Sequence, residues 1–258
     1  MRISLCIPAY GREEMLAQAI HSVLLQEHQD WEIVIRDDNS EKPVRDCPDI
    51  ARLFDFVGSR LRYVVAQHSG VYSKVANETL ALATGDILGM LASDDLLAPG
   101  ALWAINAAFE SELFHGPFWI YGKTVSVDSH LRITGIDGHA TTYEQLVKQN
   151  CIGCPSTYWN RQMMLAAGKF DTRYKWATDY DLWLRFWNIR EPMFLDQEIG
   201  IFRHHAVQLS TERAAEIEAE AKHISVRHST MRANIFRARS VQLTRQAYSG
   251  EEMPLAHD

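Results

Sequence analysis

No apolar run in this chain reaches the roughly 18 residues that a helical membrane span requires, and Met1-Arg2 leads straight into a strand-like apolar segment without the layout of a signal peptide. A cytoplasmic protein is expected, at most peripheral to the inner face of the membrane. Cysteine is scarce, with four thiols in 258 residues, which speaks against a disulfide framework and for a reducing compartment. Excess positive charge is also missing: 26 Lys and Arg face 33 Asp and Glu, a net charge of -7, so the electrostatic footprint of a general nucleic-acid binder is absent. No G-x-G-x-x-G loop follows the first strand, and Gly85 and Gly89 do not substitute for one, which removes a dinucleotide-binding Rossmann reading. No internal repeat or low-complexity tract is present. Hydrophobic residues nevertheless make up 47% of the chain, enough to exclude disorder and to fill the core of one main domain carrying a tail.

The first half alternates β-rich runs with helix-period segments: Ile3 to Ile7, a helix around Glu13 to Gln26, Trp31 to Ile35, Leu61 to Val65, a helix ending at Ala83-Thr84-Gly85, and Ile87 to Leu91. That alternation predicts a parallel sheet with helices on both faces. Ligands of such sheets sit beyond the carboxyl ends of the strands, so Pro8-Ala9-Tyr10, Asp37-Asp38-Asn39-Ser40 and Ser93-Asp94-Asp95 are the first functional candidates. Further on, Trp119 to Asp128, Leu131 to Ile136 and Ser156 to Trp159 read as strands, Tyr143 to Asn150 as a short helix, and the segment after Thr178-Asp179 as an amphipathic helix. From about Glu212 the composition turns rich in Ala, Glu, Arg and His, predicting one or two appended helices.

Each constellation has a functional and a purely structural reading. Asp94-Asp95 at a strand end can bind a hard divalent cation, or it can shape a turn and cap the helix near Pro99. An acid of Asp37-Asp38-Asn39-Ser40 can hydrogen-bond a nucleotide's base or ribose, or the segment can close a turn. Asp179, opening a helix that is apolar on one side, can serve as a general base, or cap the helix together with Thr178. Arg203-His204-His205 can meet a diphosphate or a metal, or lie on the surface. Cys151-Ile152-Gly153-Cys154 has the spacing of a redox or zinc half-site, but no second pair accompanies it and the structural reading prevails. Between Lys222 and Arg245 the chain carries Lys222, Arg227, Arg232, Arg237, Arg239 and Arg245 without an acid. Anionic lipid contact is one use of that block; docking through a stripe of Ile224, Met231 and Ile235 on the domain or a partner subunit is the favoured one.

Taken together, Ser4-Leu5-Cys6-Ile7-Pro8-Ala9-Tyr10-Gly11-Arg12, the segment Ala19 to Gln26, Glu32-Ile33-Val34-Ile35-Arg36-Asp37-Asp38-Asn39-Ser40, Asn77, Ala83-Thr84-Gly85-Asp86, Ser93-Asp94-Asp95, Gly168-Lys169-Phe170-Asp171, Thr178-Asp179-Tyr180-Asp181-Leu182-Trp183 and Arg203-His204-His205 resemble family 2 glycosyltransferases, inverting enzymes of the GT-A fold. The likeness runs over roughly residues 1 to 210. It implies an α/β domain over 1–211, with a mixed, mostly parallel sheet flanked by helices: a nucleotide-binding half at about 1–97, an acceptor half at 98–211, and a C-terminal helical extension over 212–258.

The resemblance further implies that Pro8, Ala9 and Tyr10 border the nucleobase and that Asp38 reads the base edge. Arg12, Lys74, Asn77, Ser93, Asp94 and Arg203 complete the donor contacts. Asp94-Asp95 matches the D-x-D motif, with Asp95 and His205 as ligands of Mn²⁺ or Mg²⁺ and His204 as the alternative histidine. Asp179 matches the catalytic base. Ala92, Thr178 and Ala76 depart from the usual acid, Glu and Arg at their positions. The Q-x-x-R-W motif of processive synthases is absent, so single-sugar transfer is expected, from a nucleoside diphosphate sugar, UDP-linked, to a carbohydrate or glycolipid acceptor. Two rival readings are a sugar nucleotidyltransferase, for which the first loop is a poor match, and a silent nucleotide-sugar-binding scaffold. The extension leaves peripheral membrane contact and a homodimer open.

Overall fold

The computed structural model describes residues 1–112, 116–206 and 208–249, with only the backbone of 234–249. The elements run β1 (Ile3–Ala9), α1 (Glu13–Leu24), β2 (Trp31–Asp37), α2 (Pro48–Val57), β3 (Leu61–Val65), α3 (Tyr72–Leu82), β4 (Ile87–Met90), β5 (Leu96–Leu97), α4 (Ala101–Glu110), β6 (Trp119–Val127), β7 (Ile133–Asp137), α5 (Tyr143–Leu146), β8 (Thr157–Asn160), α6 (Arg161–Ala167), α7 (Thr178–Ile189), β9 (Met193–Arg203), α8 (Leu209–Glu212) and α9 (Ala214–Ser249). The described strands form one sheet in the order β3-β2-β1-β4-β8-β6-β9-β5, with β7 on β6.

β3, β2, β1 and β4 are mutually parallel, as the helical crossovers between them require. β8 then runs antiparallel to β4 and β6, while β6 and β9 are parallel. Burial explains the difference in sequence pattern. β1 and β2 are covered on both faces and read as continuous apolar runs. The exposed edge β7 carries only half-buried and exposed residues. Glu32, Arg36 and Asp37 are the charged exceptions inside β2, and Glu32 has a structural task. Its carboxylate accepts the Ser4 hydroxyl at 2.7 Å, the Thr84 hydroxyl at 2.9 Å and the Gly85 N–H at 3.1 Å, tying β1, β2 and the turn before β4 together.

The second half packs on aromatic rings. Trp119 of β6 stacks on Trp183 of α7 with centroids 6.0 Å apart, and Trp159 and Phe186 close the cluster. All four are fully buried, so α7 is set rigidly against the sheet. Trp183→Ala is expected to cost about 3–5 kcal/mol, measured as a lowered urea midpoint with an unchanged slope.

The C-terminal helix corrects one expectation. Ile224 is buried, but Met231 is 46% exposed, and the side chains of Ile235, Arg237, Arg239 and Arg245 lie outside the described residues. The inward stripe of α9 is instead Glu220, Ile224, Arg227 and His228, four positions of one helical face. Its polar members meet α7 and the loop before it, so the described part of α9 docks on its own chain. No helix among the described residues is long and apolar enough to cross a membrane.

Candidate active site

The carboxyl ends of β1, β2 and β4 and the ends of α7 and β9 meet at one edge of the sheet. Asp94 and Asp95 follow β4 in a tight turn, where the Asp95 N–H donates to the Ala92 carbonyl at 3.1 Å. Neither caps a helix, since α4 begins after Gly100 without a side-chain cap. Asp94 is clamped from two sides: Arg12 Nη1 reaches Oδ2 at 2.6 Å and His205 Nε2 lies 3.0 Å from the same oxygen. Arg12 gets there from a left-handed conformation at the start of α1, φ 60°. Asp95 is buried and accepts the Arg203 N–H at 3.1 Å. Burial, and then the charge of Asp94, push its carboxyl well above the usual range.

Arg203 is buried as well. Its Nη1 donates to Gln18 at 2.6 Å, while Nε and Nη2 have no protein partner. Loss of hydration lowers its pKa, and the neighbouring Asp95 and Asp94 work against that loss. His205 is chosen over His204 by strand geometry: the N–H of His204 continues the ladder to Val127 at 2.8 Å and its ring lies against Phe202, leaving His205 to turn inward. Among the described residues, no group of three or more His, Cys, Asp or Glu residues is arranged to hold a metal ion. His205 Nε2 engages Asp94, the neighbour of Asp95, at this edge.

Asp37 and Asp38 divide the two readings between them. Asp37 closes the turn, accepting from Ser40 N–H and Oγ at 2.9 and 2.7 Å, Val44 N–H at 3.0 Å and Tyr63 hydroxyl at 2.8 Å. Asp38 accepts Ser69 N–H at 2.8 Å and Gly70 N–H at 3.1 Å and pairs with Arg36, while its backbone carbonyl meets His68 Nδ1 at 2.9 Å. Asp38 thus holds the loop before α3. The groups facing outward there are Tyr10, 52% exposed, and the His68 ring, centroids 5.0 Å apart.

Asn77 is likewise engaged with backbone. Its amide accepts from and donates to the Phe170 backbone, both at 2.9 Å, and so braces α3 against the chain before α7. Lys74 is exposed on the first turn of α3, Pro8 is half-buried, and Ala9 and Ser93 are buried.

Asp179 sits on the first turn of α7, half-buried. It is not the cap: that position is Ala177, without a side-chain hydrogen bond. Asp179 Oδ1 accepts the Tyr180 N–H at 2.8 Å. Burial outweighs this bond and pushes its carboxyl up to about 6. Two groups absent from the candidate site lie between the acids. Tyr72, opening α3, and Cys154, before β8, are hydrogen-bonded to each other, and both feel the charges of Asp179 and of Asp95. Cys154 belonged to the C-x-x-C pair read as structural; its place beside the acids comes from the β8 crossover, which no local spacing announces.

A mixed sheet with a parallel half, an acid pair at its edge and a half-buried carboxylate on the first turn of α7 define a layered α/β protein of the GT-A fold. The chain belongs to the family described as Glycosyl transferase family 2, whose profile matches residues 4–168. Among its relatives, the uncharacterized protein MT1568 of Mycobacterium tuberculosis is 29% identical over 226 residues, spanning 81% of this chain and 69% of its own. WfgD of Escherichia coli, a UDP-Glc:alpha-D-GlcNAc-diphosphoundecaprenol beta-1,3-glucosyltransferase, is 25% identical over 184 residues, spanning 70% and 68%. The crystal structure of S. aureus TarS 1-349 with UDP-GlcNAc superposes with a TM-score of 0.62 at 18% identity, covering 81% of this chain and 60% of that one. The latter likeness shows the fold alone, and this chain spans less than two thirds of TarS.

Proposed function

We propose that this protein transfers one sugar from a UDP-linked donor to a hydroxyl of a carbohydrate or glycolipid acceptor, with inversion, on the cytoplasmic side of a membrane. The observation that carries the reading is the cluster of Arg12, Asp94, Asp95, Arg203 and His205 at the sheet edge, where Arg12 and His205 both meet Asp94 and the Arg203 N–H meets Asp95. Asp179 accepts the acceptor hydroxyl proton; the acceptor oxygen bonds to the anomeric carbon as the bond to the diphosphate breaks, and the nucleoside diphosphate leaves with that electron pair. Tyr10 and His68 are placed to border the base. Arg203, with two buried N–H groups lacking a protein partner, suits the diphosphate.

The residues fit Mn²⁺ or Mg²⁺. Asp95 is a buried carboxylate beside a second one, and such cations are commonly held by one or two carboxylates, with substrate phosphates and water completing the shell; a cluster of three or more protein ligands is not required. When bound, the cation would neutralise charge on the departing diphosphate, a contribution of several kcal/mol.

Thermal unfolding against UDP, GDP, dTDP, CDP and ADP, each with Mn²⁺ or with EDTA, tests the donor site. UDP with metal is expected to stabilise the fold by about 2.7 kcal/mol at 100 times its dissociation constant. If no nucleotide moves the transition in either condition, the donor-site reading fails.

A further inference from the structure

The first turn of a helix leaves backbone N–H groups without intrahelical partners, and α7 has no side-chain cap of its own. The N–H groups just ahead of it are taken by a residue some forty positions later. Glu220 of α9 accepts Lys175 N–H on Oε1 at 2.9 Å, and Trp176 and Ala177 N–H on Oε2, each at 2.7 Å. Asp179 is two residues beyond the last of these. Two residues beyond Asp179 on α7, Asp181 is fully buried and joined to His228 of α9 at 3.0 Å and to Arg185 at 2.8 Å. Burial opposes its charge, but the hydrogen bond from His228 and the charge of Arg185 hold its carboxyl below the usual range. α9 therefore grips the base-bearing turn from both sides of Asp179.

We propose that Glu220 is a positioning residue for the reaction: its carboxylate holds residues 175–177, and through them aims Asp179 at the acceptor. The inference rests on Asp179 being the base. It makes the C-terminal helix a working part of the transferase, although both α7 and α9 lie beyond the residues that the family profile matches. A glutamate suits the task because three converging N–H donors are satisfied by one charged group with two oxygens. No local pattern in the sequence marks it, since Glu216, Glu218 and Glu220 alternate along the same helix.

The test uses the full chain with Glu220→Ala, Glu220→Gln and, as a control for lost charge, the exposed Glu218→Ala. The readouts are kcat, donor KM, UDP affinity and the pH profile of kcat. The groups facing Asp179 from other elements are Tyr72 of α3, Cys154 before β8 and Asn150; none of them is altered. Glu220→Ala is expected to lower kcat by about 10- to 100-fold, leave donor KM and UDP affinity unchanged, and move the acid limb downward from about 6, because a released turn exposes Asp179 to water. Glu220→Gln, which keeps the shape but presents an N–H to one of the donors, is expected to fall between wild type and Glu220→Ala; it also serves if the alanine variant does not fold. An unmoved acid limb with normal kcat, or a loss of UDP affinity equal to the loss of kcat, overturns the proposal. If Asp179→Asn itself retains transfer, it is the base assignment that fails; an inactive Asp179→Asn beside a normal Glu220→Ala refutes only the positioning role.

Discussion

Asp179→Asn is expected to lower the transfer rate by about 10²- to 10⁴-fold, the usual contribution of general-base help, while UDP binding stays at the wild-type level. The substitution keeps the size of the side chain and an oxygen to accept the Tyr180 N–H, so the fold should persist. In the wild type, proton abstraction needs the ionised carboxylate. With its pKa pushed up to about 6 by burial, kcat should fall as the pH drops through that value and stay level above it until another group titrates. Initial rates of donor consumption and acceptor modification, followed across the acid range, measure both effects. Near-normal turnover in the asparagine variant removes Asp179 as the base.

The second large effect is expected at Asp95. Asp95→Asn should make UDP affinity the same with Mn²⁺ as with EDTA and reduce transfer by about 10²- to 10³-fold, the range typical of losing a charge-stabilising group at the reacting centre. Stability should move the other way or not at all. Asp95 and Asp94 are adjoining carboxylates, one of them buried, and neutralising one relieves repulsion and desolvation; the Arg203 N–H keeps an oxygen to donate to. Calorimetric titration with UDP and a melting curve on the same sample separate the two. A metal-dependent affinity that survives the substitution excludes Asp95 as a ligand.

The parallel half of the sheet was readable because its strands are mostly apolar runs ended by polar turn residues, and the helices α1 and α3 have the period of a one-sided face. β9, which begins at Met193 and supplies Arg203 and His205, escaped such reading: it alternates irregularly, bears Asp196, Gln197 and Glu198 in its exposed middle, and owes its strand form to pairing with β6. α2 was likewise unassigned from the sequence, although it is a short amphipathic cover of the sheet. Among the candidate residues, motif and position pointed to Asp94, Asp95 and Arg203, which the structure brings together, but did not show that Asp38 and Asn77 engage backbone groups of distant loops. An acidic or amide side chain at a strand or helix end looks the same in sequence whether it faces a ligand or a backbone.

What the sequence alone determined is the class: strand-end acids in family order, on a pattern of apolar runs that only a layered α/β sheet can bury. Those features are local, because period, turn chemistry and motif are properties of neighbouring residues. The tertiary structure decided which carboxylates are free and which are spent, that His205 and not His204 turns to Asp94, that Tyr72 and Cys154 stand between the acids, and that Glu220 holds the turn before Asp179. Each of these depends on donors and acceptors brought together from residues tens of positions apart, and hydrogen-bond satisfaction in a buried site is settled only when those partners meet.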